Sequence, residues 1–133
     1  MPLVRIDIVK GRTAAQRRSL GDAVHRALVE TIGVPEKDRF QVIGEHEANE
    51  LVYDRNYLGI KRTDGIVMIQ ITMSFGRTLE QKRTLYRLVT ENLAYLDVRP
   101  EDVWINLVET ARENWSFGLG EASYAPAAEK ATA

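Results

Sequence analysis

The chain has 133 residues, with 18 basic and 19 acidic side chains that leave a formal net charge of −1. That length supports one core, and near-neutrality removes the basic field that would draw nucleic acid or an anionic membrane. With no cysteine, disulfides, thiol nucleophiles and thiolate metal sites are excluded; with no cationic leader and no run of about 18 apolar residues, a cytoplasmic protein without signal peptide or membrane span is expected.

Pro2 follows Met1 and opens an apolar strand, Leu3–Ile8. A proline is a small penultimate residue of the kind that lets an initiator methionine be removed. Removal would leave a secondary amine at the terminus, with an unperturbed pKa of roughly 8. Burial or a nearby cation lowers that value and a nearby carboxylate raises it. Pro2 is therefore a candidate acid–base group. As an internal residue it would only begin an edge strand, where its missing N–H costs nothing.

A helix starts at Thr13, where Gln16 completes a Thr-x-x-Gln capping box, and Leu20, Val24, Ala27 and Leu28 form its apolar face. Gly33 is placed to stop it. Phe40–Ile43 reads as a returning strand, with Asp38 in the charged loop ahead of it. Residues 45–64 are mostly polar and read as irregular, with a short extended piece at Leu51–Tyr53. Residues 66–73 form a strand that is apolar on both faces, which implies cover on both sides. A second helix starts at Thr78 with Gln81 as its box partner, and carries Leu85, Leu88 or Val89, Leu93 and Leu96. Val103–Val108 alternates as a final strand, and 125–133 reads as a loose tail.

The chain contains itself twice. Residues 11–20, Gly-Arg-Thr-Ala-Ala-Gln-Arg-Arg-Ser-Leu, recur 65 positions later as Gly-Arg-Thr-Leu-Glu-Gln-Lys-Arg-Thr-Leu, identical at six of ten. An ancient duplication explains this better than chance. Each half, about 2–45 and 66–110, reads strand–helix–strand within a single domain of residues 1–124. Right-handed βαβ units related by a two-fold axis predict an α+β fold: a four-stranded mixed sheet with both helices on one face. The other face then needs an oligomeric partner.

That topology brings four remote stretches to one end of the sheet. Pro2 lies beside Phe75-Gly76-Arg77; Asp38 leads the parallel neighbour strand; the exit of the last strand runs to Trp115-Ser116-Phe117. Arg77 precedes a helix N-terminus, and guanidinium and dipole together favour a carboxylate. The opposite end has Arg12 but Val67 where Pro2 would be, so it is expected to be structural. His25 is expected on a helix surface and His46 in a loop. Isolated histidines do not make a metal site, and Gly118-x-Gly120 lacks the strand–helix context of dinucleotide binding.

The amino-terminal Pro2, the tandem βαβ halves, the Gly76-Arg77 turn and the Trp115-Ser116-Phe117-Gly118 segment resemble the tautomerase superfamily, and within it the malonate semialdehyde decarboxylases. The resemblance runs from Met1-Pro2-Leu3 through Gly11-Arg12-Thr13, Val34-Pro35 and Asp38-Arg39-Phe40-Gln41 to Gly118. It implies a cofactor-independent homotrimer acting on a small oxo-acid, with Pro2, Asp38 and Arg77 catalytic. Asp38 would assist hydration or orientation, Arg77 would bind the carboxylate, and Phe75, Trp115, Phe117 and Tyr124 would line the substrate pocket. Such decarboxylases often carry two arginines at this turn, whereas here Ser74-Phe75-Gly76-Arg77 supplies one. A cationic Pro2 would polarise the carbonyl of a 3-oxo acid for decarboxylation. A neutral Pro2 would act as base in keto–enol tautomerisation of phenylpyruvate- or 2-hydroxymuconate-type substrates. A non-catalytic ligand-binding trimer is the third reading.

Overall fold

Both helices begin on the threonine that the sequence marks. Thr13 Oγ1 accepts from the Gln16 backbone N–H at 3.1 Å while Gln16 Oε1 accepts from Thr13 N–H at 2.8 Å. Thr78 and Gln81 repeat the pair at 3.1 and 2.9 Å. Each box satisfies two donors that a helix start would otherwise leave open. In the computed structural model, which describes residues 1–125, these starts belong to α1 (Ala14–Ile32) and α2 (Leu79–Ala94). The strands are β1 (Leu3–Val9), β2 (Phe40–His46), β3 (Val67–Ser74) and β4 (Val103–Thr110). All but the first residue of the expected 125–133 tail lies outside the described residues.

α1 stops at Gly33, whose φ of +70° is the left-handed conformation that glycine adopts without steric cost. After α2 the same place is taken by Asp97 at φ +61°, one of the few side chains that tolerates it.

The strands form one sheet in the order β2-β1-β3-β4. β1 pairs parallel with β2 and β3 parallel with β4, while β1 and β3 run antiparallel at the centre. Both helices pack on one face. Val4, Ile6 and Ile8 of β1 and Val67, Ile69, Ile71 and Met73 of β3 meet Leu20, Val24 and Leu28 of α1 and Leu85, Val89 and Leu93 of α2. Burying each of these large side chains is worth about 1.5–3 kcal/mol, which makes this layer the dominant stabilising term. Ion pairs then tie each helix to its outer strand: Arg17 to Glu45, and in the second half Lys82 to Glu109.

The fold departs from the sequence reading in four places. β2 runs on to His46 because Ile8 and Val9 of β1 still offer ladder partners, pairing with Glu45 and His46. Leu51–Tyr53 is not a strand, although Leu51 itself is buried. Leu96 lies beyond the end of α2 and is partly exposed, leaving Val89 and Leu93 to carry the face. The second face of β3 is mixed rather than apolar: Met68, Gln70 and Thr72 alternate with the buried set. Around them Phe40, Val42, Trp104 and Val108 remain exposed. Leu51 and Val52 come over one part of this face, bounding a recess of about 450 Å³ with Asp7, His46, Gln70 and Trp104.

Candidate functional site

The sheet register places the starts of β1 and β2 beside the ends of β3 and β4. Leu3 pairs with Phe40 on one side and Thr72 on the other, and Ser74 pairs with Thr110. Pro2 is buried at this edge. The amine of Met1 stands 3.9 Å from Asp38 Oδ2.

Asp38 is the unusual group. It is 8% exposed, and among the described residues neither carboxylate oxygen has a hydrogen-bond partner. Burial therefore pushes its pKa up, with the terminal amine and His25 pulling it back. The amine moves the other way. Burial lowers it from its ordinary 8.0, Asp38 raises it, and Arg77 and Arg112 lower it further.

The opposite end of the sheet explains the orphan. The repeat carries Leu3 onto Met68, 65 positions on, so their ladder partners Phe40 and Trp104 correspond, and with them Asp38 and Asp102. Asp102 is also buried, yet it accepts from Thr63 N–H at 2.7 Å and Thr63 O–H at 2.6 Å. Those donors come from the chain entering β3. Arg12 also bonds that segment, donating from Nη2 to the Gly65 carbonyl at 3.1 Å. At the start of β1 the amine stands where the threonine donors stand at the other end. One end is a closed structural staple; the other keeps a buried carboxylate facing an amine.

Arg77 is half-buried and donates from Nη1 to the Ser74 carbonyl at 3.0 Å, just ahead of the Thr78 cap of α2. The aromatic wall rises from β2 and the chain after β4. Phe117 stacks on Phe40 at 6.1 Å and on Trp115 at 5.5 Å, and meets the edge of Tyr124 at 5.2 Å. Trp115 Nε1–H donates to Thr110 Oγ1 at 2.9 Å, which fixes the ring to the end of β4. Burial first, then Asp38, raises the Tyr124 hydroxyl, while Arg112 and Arg77 oppose the change. Phe75 is 64% exposed and stands outside the stack, with its N–H bonded to the Thr110 carbonyl.

Of the seven residues singled out from sequence, the structure therefore gathers Pro2, Asp38, Arg77, Trp115, Phe117 and Tyr124 at one edge, with Phe75 at its rim. Two members were missed. Phe40 reads from the sequence only as a strand residue, although the same register that places Asp38 places it. Arg112 stands two residues past β4, in a single 3-10 turn, with its guanidinium 4.8 Å above the Tyr124 ring. Both histidines also differ from expectation. His25 is buried, because the 35–38 turn folds back on α1, and its Nε2 lies 2.7 Å from the Glu36 carbonyl. His46 ends β2 instead of lying in a loop, 2.7 Å from Asp7 Oδ1 across the ladder. Among the described residues, no three of His, Cys, Asp or Glu gather to hold a metal ion.

A buried carboxyl with a raised pKa takes up a proton more readily in the folded chain than in the unfolded one. Stability is then lost as pH rises from the ordinary 3.8 through the folded value. Asp38→Asn should accordingly be more stable than the parent in urea at pH 7, with the advantage gone near pH 4. An Asn variant equal to or weaker than the parent at neutral pH would show that the carboxylate is stabilised after all.

The comparisons with known proteins agree with this arrangement. Two family descriptions, both of tautomerase enzymes, match residues 38–118 and 2–59. The probable tautomerase YusQ of Bacillus subtilis (strain 168) is 42% identical over 92% of this chain and 97% of its own. A crystal structure of the malonate semialdehyde decarboxylase FG41, inhibited by 3-bromopropiolate, superposes with a TM-score of 0.87 at 40% identity. That match covers 92% of this chain and 93% of the other. A solved structure of a fused 4-OT, an asymmetric trimer, shares the fold at a TM-score of 0.72 and 23% identity, over 89% of this chain and 92% of its own. A duplicated βαβ sheet, an amine beside a buried carboxylate and 42% identity over 92% of the chain to a probable tautomerase lead to one assignment: this chain belongs to the tautomerase family.

Proposed function

We propose that the protein decarboxylates a small 3-oxo acid, in the manner of malonate semialdehyde decarboxylase, with Pro2 as its terminal amine after loss of Met1. The observation that carries this reading is the buried, unpartnered Asp38 carboxylate 3.9 Å from the terminal amine. The amine beside it belongs to Met1; loss of that residue moves the terminal charge to the Pro2 nitrogen, one residue along the same strand start. Asp38 favours the protonated form of that nitrogen.

Each step follows from these groups. Arg77, at the N-terminal end of α2, holds the substrate carboxylate. The cationic Pro2 nitrogen hydrogen-bonds the 3-oxo oxygen. The bond between C1 and C2 breaks, its electron pair passes into C2–C3, the ammonium gives its proton to the 3-oxo oxygen to form an enol, and carbon dioxide leaves. The enol then takes a proton from water at C2 and returns its hydroxyl proton to the Pro2 nitrogen, which gives the aldehyde. The apolar wall of Trp115, Phe117 and Tyr124 supports loss of charge from the carboxylate, because it solvates an anion poorly and carbon dioxide well. Asp38 orients the amine, or a water for hydration.

A second reading has its own support. Burial and two guanidiniums lower the pKa of the Met1 amine; the same surroundings at the Pro2 nitrogen after loss of Met1 favour a neutral base and therefore keto–enol tautomerisation. Release of acetaldehyde from malonate semialdehyde, against ketonisation of enol phenylpyruvate, separates the two reactions. Turnover of neither leaves a ligand-binding protein. In either case we propose a homotrimer, since Phe40, Val42, Trp104 and Val108 expose apolar surface on the sheet face opposite the helices. Light scattering at the monomer mass would overturn that assembly.

A further inference from the structure

We propose that Arg112 is a second anion-binding residue of this site, and that with Arg77 it binds an oxo-dicarboxylate more tightly than an oxo-monocarboxylate such as malonate semialdehyde. The inference deepens the proposed function, because it assumes that the same pocket binds an oxo-acid at Arg77.

The two guanidiniums come from different elements but from one ladder rung. Ser74 and Thr110 are the last pair of β3 and β4. Arg77 follows Ser74 by three residues and bonds its carbonyl; Arg112 follows Thr110 by two. The Phe75 N–H to Thr110 carbonyl bond, 3.0 Å, locks the two exits together. Both cations thus stand at the edge where the amine and Asp38 meet.

Arg112 is also presented in a particular way. Its guanidinium lies over the face of Tyr124, at 4.8 Å from the ring centroid, and Tyr124 in turn packs against Phe117. Stacking uses the flat face of the guanidinium and leaves the in-plane N–H donors directed outward, where they can fork onto a carboxylate. Among the described residues no carboxylate pairs with Arg112. The charge balance points the same way. With the amine protonated, two guanidiniums and the amine face the single carboxylate of Asp38, so a dianion neutralises the pocket where a monoanion leaves it cationic, with one acidic group at Arg77 and the other at Arg112.

The test uses inert ligands of equal carbon number, succinate and butyrate, titrated calorimetrically at low salt into the full chain. The parent should bind succinate about tenfold more tightly than butyrate, as a charge-assisted contact provides. Arg112→Gln should lose about that factor for succinate while changing butyrate less than about twofold. Equal binding of the two anions by the parent would overturn the inference, as would absence of succinate binding. So would an Arg112→Gln variant that weakens both ligands alike or neither. No turnover enters this readout, so a wrong reaction assignment leaves it intact. Arg77→Ala should weaken both anions; if it weakens neither, the shared pocket itself is wrong.

Discussion

A single residue left or added ahead of Pro2 should abolish turnover while the fold survives. The reason lies in the register at the start of β1. Leu3 is already laddered to Phe40 and Thr72, so an extra residue does not disturb the sheet; it converts the Pro2 nitrogen into an amide, which neither accepts nor gives a proton near neutral pH. The comparison to make is between chains with and without Met1, verified by mass, with circular dichroism as the control for folding. The pH profile then assigns the role. Burial and the two arginines lower the Met1 amine from its ordinary 8.0, against the opposing pull of Asp38, and the Pro2 nitrogen, one residue along and facing the same groups, is expected to shift the same way. If it works as an acid, activity is full below that lowered value and falls as pH rises through it. If it works as a base, activity appears as pH rises through the same window. A chain blocked at its N-terminus that keeps the native rate removes Pro2 from the mechanism in both cases.

Arg77→Ala should reduce kcat/KM by about 10- to 150-fold, the equivalent of about 1.5–3 kcal/mol for a charge-assisted contact. Arg12→Ala should leave kcat/KM within about twofold and appear instead as a stability loss of about 1 kcal/mol. These residues are copies of each other in sequence, and what separates them is where their donors go. Arg12 bonds the Gly65 carbonyl beside a carboxylate already satisfied by Thr63. Among the described residues Arg77 bonds only the Ser74 carbonyl of its own turn, facing the open edge with the unpartnered Asp38. Equal losses of activity in the two variants would mean that the functional end has been misassigned.

Much of this frame was legible in the residues alone, because it rests on local rules. The Thr-x-x-Gln boxes at Thr13 and Thr78 state their own helix starts. Gly33 states a helix stop, since a left-handed residue is needed there. Periodicity separates Leu20, Val24 and Leu28 from the solvent face, and the internal repeat supplies the topology that aligns Pro2, Asp38, Arg77 and Trp115. Where one segment's state depends on another, the pattern was silent or misleading. β2 outran its apolar stretch because Ile8 and Val9 still had open ladder positions.

The sequence by itself determined the repeat, the helix starts, the strand pairing and the end of the sheet at which chemistry-bearing residues collect. Only the tertiary structure decided which of two matching carboxylates is satisfied, that His25 is buried beneath the 35–38 turn, and that Phe40 and Arg112 complete the aromatic wall. The physical reason is one of range. Caps, turns and periodicity are set by neighbours within a few residues, whereas burial and hydrogen-bond satisfaction depend on where chain segments that are remote in sequence come to rest. Asp38 and Asp102 have matching positions in the two halves, and only the approach of Thr63 to one of them makes the first available for chemistry and the second a staple.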